Sequence, residues 1–259
     1  MNIVVTVKQV PDTWAEKKLD PSDMTTDRKS VDNVMNEMDE YGVEEALRIK
    51  EAHGGEVTIL TMGPDKAVEA IRKALSMGAD KAVHLSDEAL HGSDAIQTSA
   101  ALAAVLKTLD ADLVITSAEA SDARGGVMGA LLAEQLGVPQ LTLARKVTVD
   151  PGAGKVTIER QTDNGYATVE ASLPAVVGVV EKINEPRYPS FKGIMAAKKK
   201  PLTTLTVADA GVTNVGLESA PTAVDAAEPR PPKSAGQIVK DEGDGGAKVA
   251  DFLASQKLI

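Results

Sequence analysis

The sequence predicts an α/β fold: a mostly parallel sheet sandwiched by helices, with an antiparallel extension and a C-terminal arm. Strand and helix patterns alternate four times over residues 1–140, an order that builds parallel sheets with right-handed crossovers. The strands in this region are short apolar runs such as Ile3-Val4-Val5 and Leu113-Val114-Ile115, which suit a sheet covered on both faces. After Gln140 the helical period gives way to turn-bounded, alternating segments, the signature of antiparallel strands.

The first strand, residues 3–7, begins so early that it belongs inside the sheet, and residues 8–12 leave it as a loop. Residues 12–33 are polar and aperiodic, a long excursion or a small hairpin. Residues 39–50 form a helix with Val43, Ala46, Leu47 and the stem of Lys50 on one face, stopped by Gly54-Gly55. A second strand over 56–61 leads to Asp65, placed to cap a helix whose face is Val68, Ile71 and Leu75. A third strand over 82–85 and an alanine-rich helix over 94–109 follow. Residues 112–116 then make a buried strand that runs through a polar, glycine-bearing turn into a helix with Val127, Ala130, Leu131 and Gln135 on its periodic face.

That strand-to-helix corner organises the chain, because small anions bind where open N–H groups and a helix dipole meet the C-terminal edge of an open sheet. Beyond it, residues 141–149 and 156–160 flank a turn at 150–154, and Asn164-Gly165 turns the chain into residues 166–173. Residues 175–180 return as one more buried strand. Residues 184–201 hold a loop and a short helix ending in Lys198-Lys199-Lys200. Strand and helix signals fade between 208 and 236, as in a linker or an arm ordered by something else. A terminal helix over 247–257 carries Val249, Phe252 and Leu253 on an apolar side that needs a partner.

Composition excludes several classes of function. The formal charge of −10 argues against a general binder of nucleic acid or anionic membranes. The absence of cysteine removes disulfides, thiolate catalysis and cysteine-ligated clusters, and three scattered histidines, His53, His84 and His91, make no metal set. No export signal opens the chain and no apolar run reaches membrane-spanning length, so a cytoplasmic location is the default expectation.

Two stretches could carry function. At the corner, Gly125 and Gly126 let backbone approach a ligand, and Lys8-Gln9, residues 36–39 and Met62-Gly63-Pro64 should open at the same sheet edge. Neither a dinucleotide glycine fingerprint nor a Walker loop is present, and a tight turn without ligand is the competing reading. Glu119, Asp122 and Arg124 suggest acid–base work, yet no nucleophile or general base stands beside them, so no residue is assigned a catalytic role.

The second stretch is the proline-restricted loop over 184–195, which presents Tyr188 and Phe191 in a chain with only one tryptophan, three tyrosines and two phenylalanines. A stiff loop with an apolar tip suits docking, because little entropy is lost on binding. Alternatively both rings anchor the loop to its own core. The lysine run reads as a solvated face or an acidic partner's contact, and Trp14 as a residue anchored in its own domain or stacked on a partner.

Leu173-Pro174-Ala175-Val176-Val177, Ile183-Asn184-Glu185-Pro186-Arg187-Tyr188 and Ile194-Met195-Ala196-Ala197-Lys198-Lys199-Lys200 together resemble the beta subunit of electron transfer flavoproteins. Supporting matches are Val7-Lys8-Gln9-Val10-Pro11-Asp12, Val43-Glu44-Glu45-Ala46, Ala74-Leu75-Ser76-Met77-Gly78-Ala79-Asp80 and Ser234-Ala235-Gly236. The resemblance runs through nearly the whole chain. It implies an adenine nucleotide alpha hydrolase-like sandwich over 1–183, a docking loop, short helix and return to the core over 184–207, and an arm over 208–259 that packs on an alpha subunit.

The same resemblance implies an obligate heterodimer in which alpha holds the redox FAD and beta holds AMP, or a second FAD in bifurcating members. Acyl-CoA or related dehydrogenases would be donors and a quinone oxidoreductase-like protein the acceptor, with no nucleic acid and no insertion into a membrane. Carried over residue by residue, the nucleotide site falls on Lys8, Asn36, Asp39, Gly63, Asp122, Arg124, Gly125, Gly126, Val127 and Met128. Docking falls on Tyr188, Phe191, Ile194 and Met195, with Phe191 at the place of a protruding leucine.

Where many relatives set asparagine, glutamine and threonine around a phosphate, residues 122–128 here offer backbone N–H groups and Arg124, an arrangement similar to that of members holding FAD in beta. A tyrosine that some relatives place near the flavin falls at Thr13, beside Trp14. A free-standing nucleotide sensor similar to universal stress proteins is the rival from another class.

Overall fold

In a computed structural model describing residues 1–228, 230–233, 236 and 238–259, strand β1 (Asn2–Thr6) lies at the centre of a sheet. It pairs in parallel with β4 (Glu56–Met62) on one side and β6 (Leu113–Ser117) on the other. Outside β4 come β5 (Lys81–Leu85) and an edge strand, β11 (Leu202–Leu205), both parallel. Outside β6 come β10 (Ala175–Val179) and β7 (Gln140–Asp150), again parallel, then β8 (Lys155–Thr162) and β9 (Gly165–Ser172) as an antiparallel extension. The nine strands run in the order β11-β5-β4-β1-β6-β10-β7-β8-β9, so the expected α/β sheet with its extension is present.

Alternation along the strands separates two apolar layers. Ile3, Val5, Ile59, Ile115 and Val177 face α1 (Glu37–His53) and α2 (Val68–Met77), meeting Val43, Ala46, Leu47, Ile71 and Leu75. Val4, Leu60, Val114 and Val176 face α3 (Ala95–Leu106) and α4 (Met128–Leu136), meeting Leu102, Val105, Leu106 and Leu132. Gly54 closes α1, its N–H donating to Lys50 O at 2.8 Å. A capping box opens α3: Gln97 N donates to Asp94 Oδ1 at 2.9 Å, and Asp94 N to Gln97 Oε1 at 3.3 Å.

Several sequence expectations change. Residues 9–11 are not loop: β2 (Gln9–Pro11) pairs with β3 (Asn33–Met35) and so brackets the polar excursion with a small antiparallel ribbon. Asp65 does not cap α2, which is entered through a 3-10 turn (Asp65–Ala67), and its carboxylate instead accepts from Ser86 Oγ at 2.9 Å. The packed face of α4 is Gly129, Leu132 and Ala133, whereas Val127, Ala130 and Gln135 are exposed. A side chain at Gly129 would stand 3.2 Å from Thr116 Oγ1, so the helix is seated on β6 by a residue that hydrophobic periodicity does not register. Lys200 is no solvated charge, since its Nζ donates to Leu75 O and Ala79 O.

The chain divides into two units, Met1–Asp225 and Ala226–Ile259. In the first, Val207, Ala210, Val212 and Val215 pack on the layer containing α3 and α4. In the second, α6 (Gly245–Ser255) buries none of its residues, and Val249 and Phe252 are exposed. Ser234 and Ala235 of the expected arm lie outside the described residues. Among the described residues, no helix is long and apolar enough to cross a membrane.

Candidate functional site

The chain leaves β1 for β4 on one side and later returns to β6 on the other, so their C-terminal ends part and open a crevice at the sheet edge. Lys8 follows β1 there, and residues 117–127 follow β6. Asn36 and Asp39 enter from the start of α1. Both are buried and knit the two strand ends together. Asp39 accepts from Lys8 N at 2.7 Å, Asn36 Nδ2 at 2.9 Å and Ser117 Oγ at 2.5 Å. Asn36 Oδ1 accepts from Ser121 N at 3.2 Å, while its amide also donates to Glu119 O at 3.2 Å. Burial raises the Asp39 carboxyl to about 6, against the pull of Ser117, the Lys8 amide and Asn36.

Asp122 is the electrostatic hub. Its side chain is 2% exposed, and Lys8 Nζ and Arg28 NH2 each approach Oδ2 at 2.8 Å. Burial alone would raise its carboxyl, but the charge and hydrogen bond of Lys8, then Arg28, outweigh it and hold it below the ordinary carboxylate range. Two cations face this one carboxylate.

Immediately after this hub the backbone opens. Arg124 and Gly126 take positive φ, 49° and 64°, a conformation natural to glycine and strained for arginine. Residues 123–127 are exposed, and α4 begins with no side-chain cap. Buried Ser121 Oγ has no partner among the described residues. Exposed N–H groups at a helix start, the Lys8 ammonium and an unused hydroxyl form a donor set suited to a phosphate. Among the described residues, the Arg124 guanidinium pairs with Glu119 alone, at 3.6 Å.

The other sequence-predicted residues sort themselves by geometry. Gly63 lies at the same sheet edge, but its N–H already donates to Leu85 O and its carbonyl meets His84 Nε2 at 3.0 Å. Val127 is exposed and Met128 half-buried. Arg28 and Lys17, which the sequence reading missed, come from the excursion, and Lys17 Nζ donates to Ser121 O at 2.8 Å. The reading also left out Ser117. Trp14, read as either anchored in its own domain or stacked on a partner, is 95% exposed, which excludes the first.

Elsewhere on the surface, the loop over 184–190 is clamped at its base. Arg187 Nε donates to Glu44 Oε2 at 2.7 Å and its NH1 to Glu51 Oε1 at 2.6 Å, while Asn184 Nδ2 donates to Glu45 Oε2 at 3.0 Å. Above this clamp Tyr188 is 96% and Phe191 81% exposed, so neither ring anchors the loop to the core. Phe191 is not in the loop proper but starts α5 (Phe191–Ala197), which Ser190 caps by accepting from Gly193 N at 3.0 Å. Ile194 and Met195 continue the exposed apolar surface. On its other side α5 lies against α2, where a side chain at Gly193 would stand 2.5 Å from Ser76 O.

A family model described as the electron transfer flavoprotein domain matches residues 23–210. The chain is 56% identical over 266 residues to electron transfer flavoprotein subunit beta of Mycobacterium tuberculosis, covering 100% of this chain and 99% of that one. It is 38% identical over 273 residues to the subunit of the same name from Megasphaera elsdenii, covering 100% of both. It is also 38% identical over 243 residues to the Caffeyl-CoA reductase-Etf complex subunit CarD of Acetobacterium woodii, covering 92% of each. The chain belongs to the electron transfer flavoprotein beta-subunit family. Electron transfer flavoprotein beta subunits are carriers and not catalysts. The matched span takes in the excursion from residue 23, the corner, the loop and α5.

Proposed function

We propose that this chain is the beta half of a heterodimeric electron transfer flavoprotein. Dehydrogenases, acyl-CoA dehydrogenases of fatty acid oxidation among them, deliver electrons to FAD held by the alpha subunit, and a quinone oxidoreductase-like acceptor passes them toward the respiratory chain. Redox chemistry belongs to that flavin; this chain supplies position, a docking surface and a nucleotide site. The clamped projection bearing Tyr188, Phe191, Ile194 and Met195 meets the donor, and the second unit, with Val249 and Phe252 exposed, meets alpha.

The observation that carries this reading is the phosphate-suited corner, where Lys8, Arg28 and Asp122 converge beside an open glycine turn. An AMP phosphate fits this donor set: Lys8 and the N–H groups of Gly125, Gly126 and Val127 would hold it, with Asn36 and Asp39 fixing the two strand ends. A nucleotide bound there stabilises the folded subunit by mass action. The exposed Arg124 guanidinium beside the glycine turn favours one second reading, an additional FAD in beta, since a diphosphate would reach both. Chromatography of the nucleotide released by denaturing the co-purified complex tests both readings. One AMP per heterodimer supports the first, two FAD and no AMP the second, and FAD on alpha with no adenine nucleotide on beta contradicts both.

A further inference from the structure

The excursion over residues 12–32 has no buried residue, yet it sends two cations onto consecutive residues at the head of the glycine turn. Lys17 Nζ donates to Ser121 O at 2.8 Å, and Arg28 NH2 to Asp122 Oδ2 at 2.8 Å. Arg28 is steadied by a second hydrogen bond, NH1 to Gln9 O at 3.2 Å, which ties it to β2 and fixes the plane of its fork. Asp122 Oδ1 in turn accepts from Ala123 N at 2.8 Å, so the carboxylate that Arg28 holds also sets the backbone entering the turn. Ion pairs at a surface contribute little, but here the acceptor is buried, and a buried carboxylate loses much when one of its partners is removed.

The excursion's internal ties are polar and local. They include the bridge of Leu19 with Thr26, side-chain turns at Asp20, Asp23 and Asp27, and the Asn33 amide donating to Arg28 O and Val31 O. A further pair joins Asp23 Oδ2 to His91 Nε2 at 2.7 Å. With so little apolar burial, its order and that of the turn depend on the same few contacts.

We infer that Arg28, acting through Asp122, positions the glycine turn for the ligand's phosphate, and that the excursion carrying Arg28 and Lys17 is a strap whose order rises with phosphate binding. This inference rests on the nucleotide reading above. Arg28 is a positioning residue: it sets the geometry of the N–H groups after Asp122, and the adenine and ribose do not depend on it.

The test uses the co-purified complex after removal of its endogenous nucleotide, with AMP and adenosine as probes in calorimetry. Arg28→Gln should weaken AMP about tenfold and leave adenosine unchanged, and Arg28→Lys, which keeps the charge without the fork, should fall between Gln and wild type. In the unmodified complex AMP, but not adenosine, should slow tryptic cleavage after Lys17, Lys18, Arg28 and Lys29, a readout that survives if the variant fails to fold. Equal losses for AMP and adenosine, or equal protection by both, would reduce the strap to a structural role and overturn the inference. Unchanged AMP affinity in Arg28→Gln would overturn it while leaving the nucleotide reading intact. Failure of the wild-type complex to bind either probe would remove both.

Discussion

Asp39 shows how a single buried carboxylate links the site to pH. Its folded value of about 6 lies above the ordinary 3.8, chiefly through burial. Above pH 6 the charged form therefore opposes folding. As pH falls from 6 toward 4 the folded chain takes up a proton that the unfolded chain does not, and this contribution to stability rises by about 2–3 kcal/mol. Asp122 has the opposite sign. Burial raises it, but Lys8 and Arg28 hold it low, so its stabilisation is present above the unfolded value and is lost as pH falls through the depressed one. Carbon-detected NMR titration should place the Asp39 midpoint near 6, and a midpoint at or below 4 would show that its three donors outweigh burial.

That Lys8, Asn36, Asp39 and Asp122 meet at one sheet edge was legible in the sequence, because the strand–helix order brings those loops to the same end. Arg28 and Lys17 were not, since a charged residue in a polar segment reads the same whether it is solvated or clasps a carboxylate from a distant strand. For Trp14 only the anchored alternative is excluded, for the converse reason: its type implies burial, while its neighbours in the excursion bury nothing.

Among the elements, α5 joins an inner face that must fit and an outer face that must protrude. Gly193→Ala would drive a methyl into Ser76 O, 2.5 Å away, and should destabilise the chain by about 1–3 kcal/mol as the helix is pushed off α2, seen as a lowered thermal midpoint. Phe191→Ala removes a ring from solvent and should change stability by less than about 0.5 kcal/mol. It should nevertheless slow reduction by a donor dehydrogenase about tenfold or more at subsaturating donor, as loss of an aromatic anchor does. Stopped-flow rates equal to wild type would remove Phe191 from the docking surface.

Elements with an apolar stripe were readable from periodicity, and α1, α2 and α3 emerged on their expected faces. The face of α4 was misread because its centre is Gly129, and a glycine seat carries no hydrophobic signal. Strand β11 escaped because four residues after a lysine run carry too little pattern, and only pairing with β5 defines them.

For the whole molecule, a nine-stranded sheet and two helical layers enclose the core of the first unit, whereas the second ends in a helix with no buried residue. A lone helix of eleven residues is marginal in water. Its apolar side therefore needs a companion surface, and the account's central claim is that this companion is a flavin-holding alpha subunit. Native mass spectrometry of the complex co-expressed with such a subunit tests it most directly. The account predicts one copy of each chain, with FAD and one adenine nucleotide retained; a free beta chain without nucleotide beside a separately loaded companion would contradict it.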